Sequence, residues 1–267
     1  MLAVVSLLVT LDLLVVAHRG ASAVAPENTL AAFKAAGTAG ADMYELDVRT
    51  TKDGELVVLH DSTLERTTDA EELYPDRAPW RVSDFTLAEI RRLDAGKWFG
   101  PRFAGQRVPT LAEAIEAMRT GPAAVVVEVK KPTPEIEPRL ADVLAEAPSD
   151  TIVQSFDWEF VRRLQTHALR AVLGTVPAAR LPYVAGFADY VNVPHQTVTP
   201  AYVKTAHRLG LKVMAYTVNR PRVMRRMLAA GVDGLLTNKP RAARRVADMT
   251  PIFDELRNVL GEMKRKA

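Results

Sequence analysis

Short apolar runs alternate with longer amphipathic stretches along almost the whole chain. The runs are rich in β-branched and other apolar residues and are bounded by glycine and turn residues, which is typical of buried strands. The predicted strands occupy residues 13–17, 42–48, 55–59, 123–130, 151–154, 171–173, 190–193, 212–216 and 233–236. Helical patterns occupy residues 27–37, 158–167, 200–209 and 220–230. Four further helices are predicted: one that begins at Thr110, one that ends at Ala147, one near Ala178 and one at the C terminus.

This alternation indicates the fold class. Eight parallel-type strands with intervening helices predict a (β/α)8 TIM barrel, in which residues 55–59 add a hairpin-like strand beside the second strand. A doubly wound sheet is the alternative, but no glycine-rich phosphate fingerprint follows the first strand. We therefore predict a single barrel domain that spans residues 1–267.

Residues 62–108 interrupt the rhythm. The segment is rich in arginine, aspartate, proline and glycine, and it contains Trp80 and Trp98. We interpret it as a small insertion after the second strand, with one short helix at residues 86–93. Trp80, Trp98 and Phe99 form either a lid over a pocket or a small satellite core.

Composition excludes several classes of protein. The 267 residues are 48% hydrophobic and 25% charged, which is enough to bury a full core. The absence of cysteine rules out disulfides and thiolate metal sites. The net charge of +3 is spread along the chain, so we expect a small anionic ligand and no nucleic acid. The chain is expected to be a monomer or a homodimer.

The N-terminal residues 1–11 are apolar and continue toward the first predicted strand. A signal peptide requires a basic segment and a small-residue cleavage site, and neither precedes Asp12. Asp12 would also interrupt a membrane span. We predict an extra packed segment and a cytoplasmic protein; a short membrane anchor is the alternative.

Charged side chains concentrate at the ends of predicted strands, where TIM barrels carry their active sites. Glu45 and Asp47 stand two residues apart on one strand, so they point to the same face. Two anions on one face repel unless a cation lies between them, and carboxylate oxygens suit Mg²⁺, Ca²⁺ or Mn²⁺. With His18, Arg19 and His60 nearby in the sequence, they predict a metal-assisted acid/base site for an anionic substrate.

Structural roles are the alternative for these residues. Glu45 and Asp47 would then form ion pairs with nearby arginine or lysine, and Glu128 would pair with Lys130 across one face. Asp61 is predicted to orient a neighbouring group rather than to bind metal. The remaining histidines are expected at the surface or the rim of the barrel: His167, His195 and His207.

Ordered motifs along nearly the whole chain resemble those of the glycerophosphodiester phosphodiesterase family. The matching segments are His18-Arg19-Gly20, Pro26-Glu27-Asn28-Thr29, Glu45-Leu46-Asp47-Val48, residues 60–69, residues 93–99, residues 108–113, Glu128-Val129-Lys130, Gln154-Ser155-Phe156, Tyr216-Thr217-Val218-Asn219 and residues 231–237. The family fold is a (β/α)8 barrel with a small insertion after the second strand, which agrees with the segment 62–108.

The resemblance implies an activity and a set of roles. The expected reaction is metal-dependent hydrolysis of a glycerophosphodiester to glycerol 3-phosphate and an alcohol, through a cyclic phosphate. The resemblance further implies one divalent cation, Mg²⁺ or Ca²⁺, and roles that fall in three groups: metal ligands Glu45, Asp47 and Glu128; acid/base histidines His18 and His60; substrate contacts Arg19, Lys130 and Tyr216.

Two positions depart from the family pattern, and two other functions stay open. Tyr216 stands where the family usually has tryptophan, and Thr237-Asn238-Lys239-Pro240 stands where it has Thr-Asp-x-Pro. We expect both departures to affect substrate preference more than the chemistry. A lysophospholipase D-like enzyme that acts at a membrane is one alternative function, although membrane contact is not favoured. A barrel that binds phosphodiesters without turnover is the other.

Overall fold

Eight parallel strands form the core of the computed structural model, which describes residues 13–119 and 124–249. In chain order, the strands of the described residues are β1 (Leu14–His18), β2 (Met43–Thr50), β3 (Leu56–Val58), β4 (Ala124–Val129), β5 (Ile152–Ser155), β6 (Leu169–Leu173), β7 (Tyr190–Pro194), β8 (Lys212–Tyr216) and β9 (Gly234–Thr237). β3 is antiparallel to β2 and extends it as a hairpin.

The sheet closes on itself. β1 pairs in parallel with β2 on one side and with β9 on the other, and the remaining parallel strands follow in sequence order. A doubly wound sheet would leave two open edges, so the structure confirms the predicted (β/α)8 barrel.

Alternate residues of each strand face opposite sides of the barrel wall, because side chains on a strand alternate. Val16, Met43, Val126 and Ile152 belong to one buried apolar cluster that fills the interior. Residues between them, such as Val15 and Val127, belong to the larger cluster packed against the helices. This alternation fixes which positions near the strand ends can reach an active site.

Helices follow the strands around the outside. They are α1 (Leu30–Thr38), α2 (Ala70–Leu73), α3 (Leu87–Ile90), α4 (Leu111–Met118), α5 (Ile136–Ala145), α6 (Trp158–Arg163), α7 (Leu181–Val184), α8 (Pro200–Arg208) and α9 (Pro221–Ala230), and residues 240–249 are also helical. The helix predicted from Thr110 begins there with a complete capping box, in which Thr110 and Glu113 bond to each other's backbone N–H.

Two predicted helix boundaries are wrong. α1 begins at Leu30 rather than at Glu27, because Asn28 adopts a left-handed conformation with φ 59° and Thr29 is the extended N-cap residue. α6 ends at Arg163 rather than at His167, because Leu164 leaves the helix with ψ 122° and packs into the core.

Residues 62–108 form the expected insertion after β2 and its hairpin partner β3. They contain α3, which lies within the predicted residues 86–93 but ends three residues earlier, and also α2, which the prediction omitted. Leu64, Phe85 and Ile90 form a separate buried cluster, and Trp80 packs against it. Trp98 lies outside that cluster, edge-on to Phe99. The satellite-core alternative therefore holds for Trp80.

The packed segment predicted at residues 1–11 and the C-terminal part of the last predicted helix, residues 250–267, lie outside the described residues. A single domain over residues 1–267 therefore stays a prediction. Within residues 13–119 and 124–249, no helix combines the length and apolarity needed to cross a bilayer.

Candidate active site

The interior positions of β2 and β4 become polar near the carboxyl ends of these strands. On β2, Glu45 and Asp47 share the interior face of the strand with Met43, because they lie two and four residues after it. On β4, Glu128 lies two residues after Val126 and shares the interior face with it. The parallel register pairs Asp47 with Glu128. As a result, carboxylate oxygens of Glu45, Asp47 and Glu128 all lie within 4.8 Å of one another, and all three side chains are buried.

Two basic side chains offset part of this buried negative charge. Lys130 Nζ lies 2.9 Å from Asp47 Oδ1 and 2.5 Å from Glu128 Oε1, and Arg19 Nε lies 3.1 Å from Asp47 Oδ2. Ion pairs of the kind named as the structural alternative are thus present for Asp47 and Glu128. Among the described residues, only two cations make direct ion pairs with these three carboxylates.

The pKa values of the carboxyl groups reflect this imbalance. Burial, followed by the charge of Asp47, raises the pKa of Glu128 to about 7. Burial and the charges of Asp47 and Glu128 raise the pKa of Glu45 well above its usual range. Burial acts in the same direction on Asp47, but Lys130 and Arg19 outweigh it and hold the pKa of that carboxyl below its usual value.

The donor set fits a divalent cation. Glu45 Oε2 accepts the backbone N–H of Arg19 at 2.9 Å, whereas Glu45 Oε1 is buried and has no hydrogen-bond partner among residues 13–119 and 124–249. A buried carboxylate oxygen left unpaired is costly, and a hard cation held by clustered carboxylates removes that cost. These three residues can therefore hold a divalent cation, as the sequence predicts.

The loop between β1 and α1 supports the carboxylates through an unusual backbone. Arg19 and Asn28 both have positive φ, at 57° and 59°, and Asn28 N–H donates to the Arg19 carbonyl at 3.1 Å. This turn places Asn28 Nδ2 2.8 Å from Asp47 Oδ2. Gly20 is required beside it, because a Cβ there would lie 2.6 Å from the Ala32 carbonyl carbon.

Both histidines reach the site from the same edge of β2, where β1 and β3 pair with it, and their partners differ. His18 ends β1, and its Nδ1–H donates to Asn238 Oδ1 at 2.7 Å. His60 follows β3, and its Nδ1–H donates to Asp61 Oδ1 at 2.6 Å. Each histidine therefore has Nε2 left for other contacts. Asp61 orients His60, in line with the prediction that it orients a neighbouring group.

Desolvation lowers the pKa of both imidazoles. Burial and the nearby Arg19 charge lower the pKa of His18 to about 4. Burial also lowers the pKa of His60, although the charges of Asp47 and Asp61 oppose it. Arg66, followed by His60, in turn holds the pKa of Asp61 at about 2, so Asp61 is a carboxylate at neutral pH.

One cavity of about 180 Å³ collects these groups. All predicted site residues line it except Asp47, which is fully buried beside them; they are His18, Arg19, Glu45, His60, Glu128, Lys130 and Tyr216. Wider grooves on the outer side of α4 contain none of this chemistry. Gln154, Phe156 and Leu173 also line the cavity, and Gln154 Oε1 accepts from Asn192.

The departure at Asn238 needs a different interpretation. We expected it to affect substrate preference, but its side chain contacts His18 and thus touches the proposed chemistry. Asn219 holds it in place by accepting the Asn238 backbone N–H at 2.9 Å. The sequence pattern flagged Asn238 and contained Asn28 within a motif, but it gave neither residue a role.

The other histidines do not line the cavity. His167 is exposed. His195 Nδ1 lies 3.2 Å from an Arg226 nitrogen, and His207 Nε2 lies 2.8 Å from Asp233. Their predicted placement at the surface or rim agrees with the structure.

The barrel and its clustered acidic, basic and imidazole groups define a hydrolase of the TIM-barrel class. Residues 18–242 match the model of the glycerophosphoryl diester phosphodiesterase family. The chain belongs to this family and is a phosphoric diester hydrolase, as its motifs predict. Enzymes of the family depend on a divalent cation, for which the acidic cluster is the candidate site.

Individual relatives agree with this assignment. The chain is 39% identical over 242 residues to the glycerophosphodiester phosphodiesterase of Caldanaerobacter subterraneus subsp. tengcongensis, with 85% of this chain and 94% of that protein covered. It is 35% identical over 258 residues to the glycerophosphodiester phosphodiesterase of Bacillus subtilis, with 85% and 84% covered.

Solved structures confirm the fold. A phosphodiesterase of Oleispira antarctica, solved in complex with the product sn-glycerol-3-phosphate, matches with a TM-score of 0.78 and 28% identity, covering 88% of this chain and 96% of that one. A glycerophosphodiester phosphodiesterase of Agrobacterium tumefaciens matches with a TM-score of 0.74 and 32% identity, covering 86% and 98%.

Proposed function

We propose that this enzyme hydrolyses glycerophosphodiesters to glycerol 3-phosphate and an alcohol, with one Mg²⁺ or Ca²⁺ held by Glu45, Asp47 and Glu128. The observation that carries the proposal is the shared cavity, in which His18 and His60 meet the acidic cluster. The product bound to the Oleispira antarctica relative supports the choice of substrate.

Arg19 and Lys130 bind the phosphate in this proposal. A phosphodiester is anionic and repels nucleophiles, so positive groups must offset the charge that grows in the transition state. The cation, when bound, supplies further neutralisation of the phosphate oxygens. Arg19 can present two N–H groups to phosphate oxygens, whereas Lys130 acts as a point charge. Tyr216 forms part of the cavity wall that meets the substrate.

The two histidines divide proton transfer between them. Asn238 is neutral, so it orients His18 and raises its pKa less than a carboxylate would, and His18 Nε2 is suited to accept a proton. Asp61 is a carboxylate, and it stabilises a protonated His60 that can donate from Nε2. We therefore assign His18 as the initial base and His60 as the initial acid.

The first chemical step is intramolecular. The glycerol hydroxyl next to the ester forms a new O–P bond as His18 takes its proton, while the P–O bond to the leaving alcohol breaks and His60 protonates that oxygen. The product is a cyclic glycerol phosphate. Water then opens the ring, with the proton transfers reversed, and releases glycerol 3-phosphate.

A deoxy substrate tests this mechanism. A glycerophosphodiester that lacks the vicinal hydroxyl retains its phosphate contacts, so we expect it to inhibit competitively without turnover. Phosphorus NMR of the parent reaction should show a transient cyclic phosphate. Hydrolysis of the deoxy analogue at a rate close to that of the parent would make water the first nucleophile and refute the mechanism.

A lysophospholipase D-like activity is the second candidate, and Phe156 is the reason to test it. This side chain lines the cavity while remaining 59% exposed, so it offers apolar surface to a leaving group at the mouth. A product assay over glycerophosphocholine, glycerophosphoethanolamine and lysophosphatidylcholine distinguishes the two. Higher kcat/KM for the lysolipid would favour the second candidate.

A further inference from the structure

Arg66, in the insertion, lies between two carboxylates from different loops. Its Nη1 donates to Glu27 Oε2 at 3.0 Å, and its Nη2 donates to Glu27 Oε1 at 2.7 Å. Its Nη2 also donates to Asp61 Oδ1 at 3.1 Å, and its Nε donates to Asp61 Oδ2. Both carboxylates therefore engage the same guanidinium group through two oxygens each.

Each of these carboxylates has a second partner in the candidate site. Glu27 Oε1 also accepts from Arg19 Nη1 at 3.0 Å. Asp61 Oδ1 also accepts from His60 Nδ1 at 2.6 Å. Arg66 is thus linked through Glu27 to Arg19, the proposed phosphate ligand, and through Asp61 to His60, the proposed acid. None of the hydrogen bonds described above joins Arg66 directly to either residue.

This arrangement differs from an isolated surface ion pair, which contributes little. Glu27 and Asp61 carry two negative charges; Arg66 pairs with both, whereas Arg19 is shared between Glu27 and Asp47. Without Arg66, the excess negative charge would stand beside the place where an anionic phosphate binds. Glu27 would then interact with Arg19 alone and compete with the substrate for its N–H groups, and Asp61 would lose the partner that fixes its orientation.

We propose that Arg66 is a positioning residue: through Glu27 it keeps Arg19 available for phosphate, and through Asp61 it orients His60. This inference rests on the roles proposed above for Arg19 and His60. It also gives the insertion a function, because residues 62–108 then supply a side chain on which the geometry of the active site depends.

The two contacts predict two separable kinetic effects. In Arg66→Ala, loss of the contact with Glu27 should raise KM, because Glu27 then draws Arg19 away from the phosphate. Loss of the contact with Asp61 should lower kcat, because His60 is then poorly oriented. We expect kcat/KM to fall on the order of tenfold to a hundredfold, within the range for groups that orient reacting residues. Arg66→Lys should restore only part of the loss, since lysine cannot bond to both carboxylates with a planar fork.

Arg91→Ala is the matched control. Arg91 is also in the insertion and is about as exposed as Arg66, at 49% against 43%, and it pairs with Glu113 away from the cavity. We expect its kinetics to equal those of the unaltered enzyme, and melting temperatures measured for both variants check that each is folded in the assay. Equal kinetics for the two alanine variants would overturn the inference.

Double variants identify the route. The KM effect of Arg66→Ala should disappear in a Glu27→Gln background, and its kcat effect should disappear in an Asp61→Asn background. If both effects persist unchanged there, Arg66 acts by another route and the inference is wrong.

Arg19→Ala and His60→Ala are measured alongside. Near-normal activity in either would refute the proposed function and, with it, the inference. Large losses of activity in Arg19→Ala and His60→Ala, together with unchanged kinetics in Arg66→Ala, would refute the inference but not the proposed function.

Discussion

Lys130 provides the sharpest test of the charge balance at the acidic cluster. Its ammonium group contacts Asp47 at 2.9 Å and Glu128 at 2.5 Å, and its side chain is only 11% exposed. At an effective dielectric constant of about 20, each contact corresponds to roughly 6 kcal/mol of Coulomb energy before the desolvation cost is subtracted. Removing one partner from such a buried group typically costs about 3–5 kcal/mol, because the remaining charge stays buried.

Lys130→Met keeps the length of the side chain and removes its charge. Among the described residues, Arg19 is then the one cation left in direct contact with the three carboxylates, so the protein without a metal ion should be strongly destabilised. For a chain of this size, about 3–5 kcal/mol corresponds to a fall of roughly 6–20 °C in the melting temperature. The measurement is best made at about pH 8.5, above the pKa of about 7 that Glu128 has in the unaltered protein. Loss of Lys130, which lowers that pKa, favours protonation of Glu128 in the variant, and the higher pH opposes this.

Thermal unfolding in chelator and in excess Mg²⁺ or Ca²⁺ provides the assay. A cation that binds only the folded state stabilises it by about 4 kcal/mol at a thousandfold excess over its Kd. Because Lys130→Met lacks the positive charge that repels the cation, it should bind the cation more tightly, and its deficit should shrink when the cation is added. Lys131→Met is the control, because Lys131 is adjacent in sequence but exposed. If the two variants have the same melting temperature in chelator, Lys130 does not offset the negative charge of the acidic cluster and the reasoning is refuted.

Three further outcomes follow from the proposed mechanism. His18→Ala and His60→Ala should each reduce kcat by a factor on the order of 10² to 10⁴ and leave the circular dichroism spectrum unchanged. The two reductions should not multiply in the double variant, and near-normal turnover in either single variant would exclude that histidine from the mechanism. Chelation should abolish turnover and Mg²⁺ or Ca²⁺ should restore it; full activity in a verified metal-free sample would exclude the cation. Asn238→Asp should raise the pKa of His18 from about 4, so the acidic limb of kcat/KM should move to higher pH; an unmoved limb would argue against His18 as the base.

Local periodicity was enough to predict the barrel and the acidic cluster. Glu45 and Asp47 stand two residues apart in an apolar run, so any strand there places both carboxylates on one side. Because active sites of this fold lie at the carboxyl ends of the strands, Glu128 and His18 could be assigned to the same region. The motif resemblance then supplied their expected roles.

Contacts between distant loops could not be predicted in this way. Arg66 meets Glu27 across 39 residues of sequence, and neither residue lies in a strand whose periodicity would orient it. The left-handed backbone at Asn28, which also sets the true start of α1, depends on packing around the loop and has no periodic signal. Such residues lie within recognisable motifs, but only the folded arrangement shows which groups they hold.

The contact between Asn238 and His18 depends on the closure of the barrel. His18 and Asn238 are 220 residues apart, yet β9 pairs with β1, so the residue that follows β9 lies beside the end of β1. The aspartate usual in the family would place a second carboxylate on a histidine here, matching Asp61 on His60, and each imidazole would then have a carboxylate partner that raises its pKa. A neutral amide keeps the orientation but raises the pKa of His18 less than a carboxylate would. The departure thus makes the two histidines unequal, and this inequality is what a proton acceptor and a proton donor acting in one step require.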